Sequence, residues 1–431
     1  MNKEIIKQAI IDQKEELGKD YRESNIIERE FYKEYQKYLG SMQVKVVTGI
    51  RRCGKSVLAY QLLKEKNFAY VNFDDEKLAG ITTEELNDIL EILYEVYGNF
   101  EYVLFDEIQN IDKWELFVNR LQRQKLNITI TGSNSNLLSR ELATHLTGRH
   151  ILLELFPFSF IELLRFKNIS FNINLMSTKE KGVIKKELSE YIHLGGFPDV
   201  CKRPQEQKKY LQSLYSNIIN IDVISRHKIR NGAVLKSISN SLMSDSASLI
   251  SYNKIKNFFN LKSIHTAQDY ISYLEEVYLF FLLPKFSFKP KEREVANRKL
   301  YLIDTGLIGS VGTNFSLNLG KIYENIVFLH LARRKILFDM ELFYWQDVYN
   351  NEVDFIVKEG LKIKQLIQVC YDINDYGTKK REISSLIKAS KELKCDKLFV
   401  ITNDFEKEEL IEKKKIKFIP LWKWLLLEFK D

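Results

Sequence analysis

The chain has 431 residues, of which 45% are apolar and 29% charged, and its 65 Lys and Arg residues exceed its 58 Asp and Glu residues to give a net charge of +7. This length predicts roughly two to four domains, and the ordinary apolar content with only six prolines excludes large-scale disorder and Pro-rich architectures. Because no apolar run approaches the roughly 18 residues of a membrane span and the N-terminal segment lacks the apolar stretch of a signal peptide, we expect a cytoplasmic protein without membrane contact.

Residues 1–40 are predicted to form a helical lead-in. Their apolar side chains recur at helical spacing, and a Gly-Ser pair at positions 40 and 41 ends the segment. The residues expected on one helical face are Ile26, Ile27, Phe31, Tyr35 and Tyr38.

The next region, residues 41–165, alternates short apolar runs with longer helical stretches. Strands separated by helices need crossover connections, which predicts an α/β domain with a parallel sheet and helices on both faces. The predicted strands are Val44–Thr48, Phe68–Phe73, Tyr102–Phe105, Ile128–Thr131 and Ile151–Leu155.

A phosphate-binding loop is predicted directly after the first strand, where GIRRCGKS at residues 49–56 matches the pattern GxxxxGK[ST]. Glycines allow backbone N–H groups to converge on phosphate oxygens, Lys55 can reach the β- and γ-phosphates, and the Ser56 hydroxyl can bind Mg²⁺. A glycine-bearing turn without a ligand is the alternative. The predicted nucleotide-binding residues are Gly49, Arg52, Cys53, Gly54, Lys55, Ser56 and Val57.

Two carboxylates follow the apolar strand that begins at Tyr102. Asp106 at the strand tip is predicted to hold the Mg²⁺ shell, and Glu107 is predicted to polarise a water against the γ-phosphate. Any strand can end in charged loop residues, so the acid pair indicates a nucleotide site only together with the phosphate loop upstream. The pair favours hydrolysis over simple nucleotide retention.

Two further positions are candidates for the same site. Ser133 and Asn134 follow the strand ending at Thr131, and either side chain could contact the γ-phosphate or the attacking water, or simply form a turn or cap. Arg149 could stabilise transition-state charge in cis or from a neighbouring subunit, or could form a structural ion pair.

These segments together resemble a known family. The series GIRRCGKS, YVLFDEIQ, TGSNSNLLS, TGRH, ELFPFSF and HLGGFPD resembles bacterial and archaeal AAA-like P-loop ATPases that carry a C-terminal domain of unassigned role. The resemblance covers about residues 40–400. It implies ATP rather than GTP as the nucleotide, since no NKxD segment is present. It also implies that Ser133-Asn134 is the polar sensor and that Arg149 is the candidate arginine finger.

Residues 166–304 are predicted to form a helical region that contains a winged helix. Helices near Asn253–Phe259 and Thr266–Tyr278 precede apolar strands near Leu279–Leu283 and Leu300–Ile303. Acids on the second helix would oppose DNA, so contact with DNA and docking of a protein both remain open; these acids are Asp269, Glu275 and Glu276. The basic residues that favour DNA are Lys228, Arg230, Lys236, Lys254, Lys256 and Lys262.

The C-terminal segment, residues 305–431, is predicted to be mixed α/β and is similar to the restriction-endonuclease-like fold. Glu324 and Asp354 match the first two acids of that fold's metal site. Gln368 stands where a further carboxylate is usual, and Cys370 where the lysine belongs, so the resemblance implies a degenerate nuclease site.

The leading hypothesis is a Mg²⁺-dependent ATPase whose hydrolysis rearranges the winged-helix and C-terminal domains on DNA or a protein partner. The alternatives are an ATP-gated DNA nuclease and a nucleotide-regulated scaffold with negligible turnover. A homo-oligomer is expected only if Arg149 acts in trans.

Overall fold

The computed structural model of the protein describes residues 2–23, 26–133, 148–312, 318–335 and 338–427. The chain divides into two compact units, one of Met1–Pro157 with Glu276–Tyr278 and one of Phe158–Glu275 with Leu279–Asp431. Among the helices that can be described, none has the length and apolar character needed to cross a bilayer.

The first unit is built around a sheet in which the described strands all run parallel, in the order β2-β3-β4-β1-β5. This confirms the predicted parallel sheet, and each predicted strand agrees with the observed one to within one residue at either end. The elements are α1 (Lys3–Glu23), α2 (Tyr32–Gln36), β1 (Val44–Thr48), α3 (Lys55–Leu63), β2 (Phe68–Asn72), α4 (Leu86–Tyr97), β3 (Tyr102–Asp106), α5 (Trp114–Arg123), β4 (Asn127–Gly132) and β5 (His150–Glu154).

The strand order places three functional segments side by side. Strands β3, β4 and β1 are neighbours, so the residues that follow them meet at the carboxyl edge of the sheet. Ligands of open parallel sheets bind outside this edge. The phosphate loop after β1, the acids at the end of β3 and the polar residues after β4 are therefore close together.

The lead-in differs from the single helical face predicted for it. Helix α1 ends at Glu23, residues 26–29 are not helical, and the short helix α2 begins at Tyr32, so Ile26 and Tyr35 do not share one helix. Helix α1 instead pairs its charges with α4. The ammonium of Lys3 lies 2.8 Å from a carboxylate oxygen of Glu91, and helical spacing alone does not reveal such a break in a polar segment.

The second unit begins with a mainly helical region. Its helices confirm the predicted helical middle region, and one segment of it, Ile218–Ser225, is a π-helix. The elements up to residue 311 are α6 (Phe160–Phe166), α7 (Thr178–Leu194), α8 (Pro198–Lys202), α9 (Gln207–Asn217), α10 (Gly232–Ser244), β6 (Ser248–Ile250), α11 (Tyr252–Phe258), α12 (Ile264–Glu276), β7 (Phe280–Leu283), α13 (Pro290–Val295), β8 (Arg298–Leu302) and α14 (Gly306–Val311).

Three of these strands form a small antiparallel sheet in the order β6-β8-β7. Helix α10 precedes β6, and helices α11 and α12 separate β6 from β7. Helix α12 starts at Ile264 rather than at Thr266, because the Ser263 hydroxyl accepts the Thr266 N–H at 3.1 Å and thus caps the helix earlier.

The remainder of the second unit forms a mixed sheet, in the order β13-β14-β12-β11-β10-β9 within the described residues. Strands β9 to β11 are antiparallel, whereas β12 runs parallel to both β11 and β14. The elements are α15 (Leu319–Lys335), β9 (Met340–Gln346), β10 (Glu352–Glu359), β11 (Lys362–Val369), α16 (Tyr376–Leu393), β12 (Leu398–Thr402), β13 (Lys407–Ile411), β14 (Lys414–Pro420) and α17 (Leu421–Leu426).

The ELFPFSF and GGFPD segments meet at a backbone joint in the second unit. The Phe158 N–H donates to the Gly196 carbonyl at 2.7 Å, and the Gly196 N–H donates to Asp304 at 2.6 Å. Asp304 also accepts the Gly306 N–H, while its burial raises its pKa to about 7. Phe158 and Gly196, one from each segment, therefore serve packing in the second unit.

A single buried amide ties α15 to the small sheet. The Asn325 side chain accepts the Leu302 N–H at 2.8 Å and donates to the Leu302 carbonyl at 3.0 Å, as a neighbouring strand would. The Ser246 hydroxyl donates to the same amide oxygen at 2.8 Å. Asn325 therefore satisfies backbone groups that would otherwise be buried without partners.

Candidate nucleotide site

The phosphate loop has the backbone conformation that its glycines permit. Gly49 has φ 150°, and a Cβ atom there would lie 2.0 Å from the Leu155 carbonyl oxygen. Gly54, with φ 99°, caps the start of α3. Only glycine adopts such angles at low cost, so the loop can approach a phosphate closely. The structure thus provides a cradle of the kind that the sequence pattern predicts.

Lys55 lies at the first position of α3 and is almost fully buried. Its ammonium is 3.3 Å from the Ile50 carbonyl oxygen and 3.8 Å from Glu107 Oε1. The cation is thus held between the loop and the acid at the end of β3. A phosphate bound in the loop would be a nearby anionic partner for it.

Asp106 is the centre of a hydrogen-bond network at the end of β3. The Ser56 hydroxyl donates to its Oδ1 at 3.0 Å, the Tyr70 hydroxyl donates to its Oδ2 at 3.3 Å, and the Thr131 hydroxyl also donates to Oδ1. Burial raises the pKa of Asp106, and the adjacent charge of Glu107 adds to the rise. The Ser56 and Asp106 oxygens are hard donors of the kind that Mg²⁺ prefers.

Glu107 follows in a left-handed conformation, with φ 52°. Its N–H donates to the Thr131 hydroxyl at 3.1 Å, and its carboxylate accepts a hydrogen bond from the Gln109 side chain. This conformation turns the chain at the strand end, and the Glu107 carboxylate lies beside Lys55. A carboxylate in this place can orient a water, which is the role predicted for it.

The remaining predicted residues of the loop surround these groups. The Cys53 thiol is buried, donates to the Leu155 carbonyl at 3.4 Å and has its pKa raised by burial. Arg52 is exposed and Val57 half-buried. Ser133 is buried at the end of β4, whereas Asn134 lies outside the described residues.

Arg149 is not brought to the phosphate loop of its own chain. It precedes β5, and its carbonyl accepts the N–H of Val44, the first residue of β1. The loop follows the other end of β1, about 16 Å away at the strand rise of about 3.3 Å per residue. The guanidinium lies 3.3 Å from Asn119 Oδ1. This position does not support the alternative in which Arg149 acts in cis, and the alternatives of action in trans and of a structural role stay predictions.

A second polar cluster contains the acids predicted in the C-terminal segment. The ammonium of Lys299, on β8, lies 2.8 Å from Glu324 Oε1, 2.9 Å from Asp354 Oδ1 and 2.6 Å from Glu352 Oε1. The Tyr301 hydroxyl donates to Glu324 at 2.7 Å. Two predicted acids are thus together, but a lysine and a third acid that sequence reasoning missed lie with them.

Gln368 occupies the edge of this cluster. Its side-chain oxygen accepts the Asp354 N–H at 3.2 Å, and its amide nitrogen donates to Glu382 at 2.6 Å. The amide therefore links two acidic residues instead of facing Lys299. Cys370, at the position expected for a lysine, is buried, and burial raises the pKa of its thiol to about 12.

Comparison with known proteins places the chain in a family. It is 41% identical over 400 residues to the uncharacterized protein MJ1544 of Methanocaldococcus jannaschii, covering 89% of this chain and 88% of that protein. An uncharacterized protein of Haemophilus influenzae is 31% identical over 351 residues, covering 77% and 83%. The chain belongs to the same family as these proteins.

Family models divide this chain into three parts. Residues 41–164 match the AAA domain, residues 185–319 match one domain of unknown function (DUF8612) and residues 319–424 match another (DUF4143). Residues 41–164 are therefore an AAA domain, and they contain the phosphate loop. Among solved structures, the Walker-type ATPase PABY2304 of Pyrococcus abyssi aligns with 67% of this chain and 97% of its own length, at 16% identity and a TM-score of 0.45.

Three residues of the AAA site were missed by sequence reasoning. Thr131 and Tyr70 hold Asp106, and the Arg29 guanidinium donates to the carbonyls of Cys53 at 3.0 Å and of Phe156 at 2.6 Å. Thr131 is a polar residue at the end of a buried strand, but its contact with Asp106 depends on β4 lying next to β3, which the sequence does not specify. Arg29 carries no such signal, because it lies 24 positions before Cys53 and outside the loop pattern.

Proposed function

We propose that this protein hydrolyses ATP with Mg²⁺ at the phosphate loop. The observation that carries the proposal is the convergence of Lys55, Ser56, Asp106 and Glu107 at the carboxyl edge of one parallel sheet. A nucleotide-regulated scaffold would need the loop and the cation site. It would have no use for a second carboxylate beside the lysine.

Each residue of the site would have its own role in phosphoryl transfer. Lys55 would neutralise charge on the β- and γ-phosphates, and Ser56 with Asp106 would hold Mg²⁺, which supplies further neutralisation of the phosphate oxygens when bound. Glu107 would orient the attacking water and accept its proton. The hydroxyl of Thr131 fixes both acids, since it donates to Asp106 and accepts the Glu107 N–H.

The first test is ATP turnover by wild type and by Glu107→Gln. We expect the variant to keep ATP binding and to lose about 10²-fold in kcat, because the amide cannot accept the proton of the attacking water. Steady-state phosphate release measures turnover, and a fluorescent ATP analogue measures binding.

The matched control for that test is Glu101→Gln. Glu101 is exposed and precedes the amino end of β3, whereas Glu107 follows its carboxyl end. This control should keep wild-type turnover. If wild type releases no phosphate, or if Glu107→Gln is as active as the control, hydrolysis at this site is rejected.

We also propose that residues 232–302 form a winged helix that contacts DNA. The supporting observation is the element order α10, β6, α11, α12, β7, β8, with the strands paired as β6-β8-β7. This is a helix-turn-helix followed by a two-stranded wing, in which α12 takes the place of the recognition helix.

Two of the three acids that argued against DNA are withdrawn from the exposed surface of α12, one fully and one in part. Glu276 is buried, and Glu275 is half-buried with its pKa raised to about 7 by that burial. The expected opposition of these acids to DNA therefore does not hold for Glu276, and only Asp269 of the three is fully exposed. The exposed basic residues of the region include Lys228, Arg230, Lys236, Lys254 and Lys262.

DNA binding is tested by its salt dependence. Each lost phosphate contact lowers the slope of log K against log salt by about 0.9, so Lys254→Ala/Lys262→Ala should bind more weakly with a slope smaller by about 2. Fluorescence anisotropy with duplex DNA, at several salt concentrations and with and without ATP, gives both quantities.

The control for the DNA test is Lys380→Ala, which removes an exposed lysine of α16. It should leave the slope unchanged. A salt-independent interaction, or none, would assign the winged-helix region to a protein partner instead.

Arg149 enters the proposed ATP hydrolysis only in trans. An active dimer or ring that loses turnover with Arg149→Ala would support the homo-oligomer.

We propose that residues 319–424 have a restriction-endonuclease-like fold without nuclease activity. The order helix, three antiparallel strands, helix and parallel strand supports the fold. The residues do not fit the metal that active members bind, because Lys299 lies among the carboxylates that would hold it. The ATP-gated nuclease is accordingly not favoured.

A further inference from the structure

The carboxylate cluster of the second unit is shaped around the Lys299 ammonium. Lys299 and Tyr301 alternate along β8 and therefore point to one side, as do Glu352 and Asp354 along β10, with Glu324 added from α15. The Lys299 side chain is 4% exposed. This ammonium makes three charged contacts of 2.6 to 2.9 Å, and those with Glu324 and Asp354 are hydrogen bonds.

The electrostatics keep the lysine charged. Burial alone would lower the pKa of Lys299, but the charges of Asp354 and Glu324 outweigh burial and hold that pKa well above its ordinary value. Each acid has a further partner: Tyr301 donates to Glu324, and the Val369 N–H donates to Asp354 Oδ2 at 2.9 Å. The carboxylates are thus fixed in place around one cation.

We propose that Lys299 is a built-in cation that takes the place of a divalent metal ion and closes this carboxylate centre to metal. Three carboxylate oxygens around one point are the ligands that Mg²⁺ or Mn²⁺ would use, and the ammonium stands at that point. This inference is independent of ATP hydrolysis.

Because Lys299 lies on β8, an ammonium in place of a metal ion also has a structural consequence. Strand β8 belongs to the small sheet, whereas Glu324 and Asp354 belong to the helix and sheet that follow residue 318. The ion pairs of Lys299 therefore connect the small sheet to the C-terminal sheet. A metal ion, bound by the acids alone, would not make this connection.

The test is Mn²⁺ binding by the full-length protein without nucleotide, measured from the electron paramagnetic resonance signal of free Mn²⁺. Lys299→Met keeps the length and apolar stem of the side chain while removing its charge. We expect this variant to bind one Mn²⁺ ion that wild type does not bind. Lys299→Met/Glu352→Gln should lose it again.

Thermal unfolding gives a second readout. In EDTA, Lys299→Met should unfold several degrees below wild type, because three carboxylates lose their counter-charge. Added Mn²⁺ should bring the unfolding temperature of the variant back to that of wild type. The control is Lys358→Met, which removes a lysine paired with Glu341 on the adjoining strands β9 and β10. Mn²⁺ should not raise its unfolding temperature above that of wild type.

Two outcomes would overturn the proposal. One is a Mn²⁺ ion bound by wild type and lost in Glu352→Gln, which would mean that metal and Lys299 share the centre as in an active nuclease. The other is a folded Lys299→Met that gains no Mn²⁺. If Lys299→Met does not fold, the comparison of wild type with Glu352→Gln still decides, since equal Mn²⁺ binding supports a centre closed by the lysine.

Discussion

Replacing Lys55 by alanine should abolish ATP turnover, with a loss of about 10³-fold or more in kcat/KM. The residue is buried at the first position of α3, and its ammonium is positioned by the Ile50 carbonyl and by Glu107. Alanine removes the positive charge nearest to the β- and γ-phosphates, so both the ground state and the transition state lose stabilisation. Unlike Glu107→Gln, this variant should therefore also bind ATP more weakly.

The control for Lys55→Ala lies just beyond the other end of the same helix. Lys64 is exposed and follows the last residue of α3, at the end away from the loop. Lys64→Ala should keep wild-type turnover and ATP affinity. Residual turnover in Lys55→Ala equal to that of Lys64→Ala would show that the phosphate released comes from another site, whereas circular dichroism shows whether each variant is folded.

Replacing Gly196 by alanine should lower the free energy of unfolding of the second unit by about 3 kcal/mol. A Cβ atom at this position would lie 2.2 Å from the Phe158 carbonyl oxygen. Phe158 cannot simply move away, because its N–H donates to Gly196 and its carbonyl accepts the Tyr191 hydroxyl at 2.9 Å. The overlap therefore has to break hydrogen bonds within the joint.

Urea unfolding followed by tryptophan fluorescence measures this loss. Three of the four tryptophans, Trp345, Trp422 and Trp424, lie in the second unit, so a Trp114→Phe background reports on that unit alone. The control is Gly182→Ala within α7, where a Cβ atom would meet nothing within 4 Å and should stabilise the helix by up to about 1 kcal/mol. Equal midpoints for the two variants would contradict the steric argument.

The nucleotide site could be predicted from sequence because its signals are local. The loop is a run of consecutive residues, and its strand and helix follow from composition and spacing on either side. The acids at the end of β3 were found in the same way. What the sequence did not contain was the hydrogen bonding by Thr131, which depends on β4 lying next to β3 in space.

The position of Arg149 follows from the direction of the strands in the sheet. Strand polarity alone puts a residue that precedes a parallel strand at the amino edge of the sheet, opposite to the phosphate loop. The correct position was therefore within reach of sequence reasoning. Glu275 and Glu276 were harder, because which side of α12 is buried is set by packing against other elements and not by the helix itself.

Lys299 was beyond prediction. Its partners Glu324 and Asp354 are 25 and 55 positions away along the chain, in elements whose packing no local pattern specifies. One signal does exist, since Lys299 and Tyr301 place two polar groups on one side of the strand. That alternation indicates a polar neighbour, but it does not identify three carboxylates.

The amide of Asn325 has a consequence for how this family can be dissected. The two family models meet at residue 319, yet this side chain completes the hydrogen bonding of Leu302 from the far side of that boundary. A fragment cut at 319 would leave the Leu302 N–H and carbonyl exposed and the amide without its partners. Exchanging these segments between relatives should therefore succeed when strand β8 and helix α15 are inherited together.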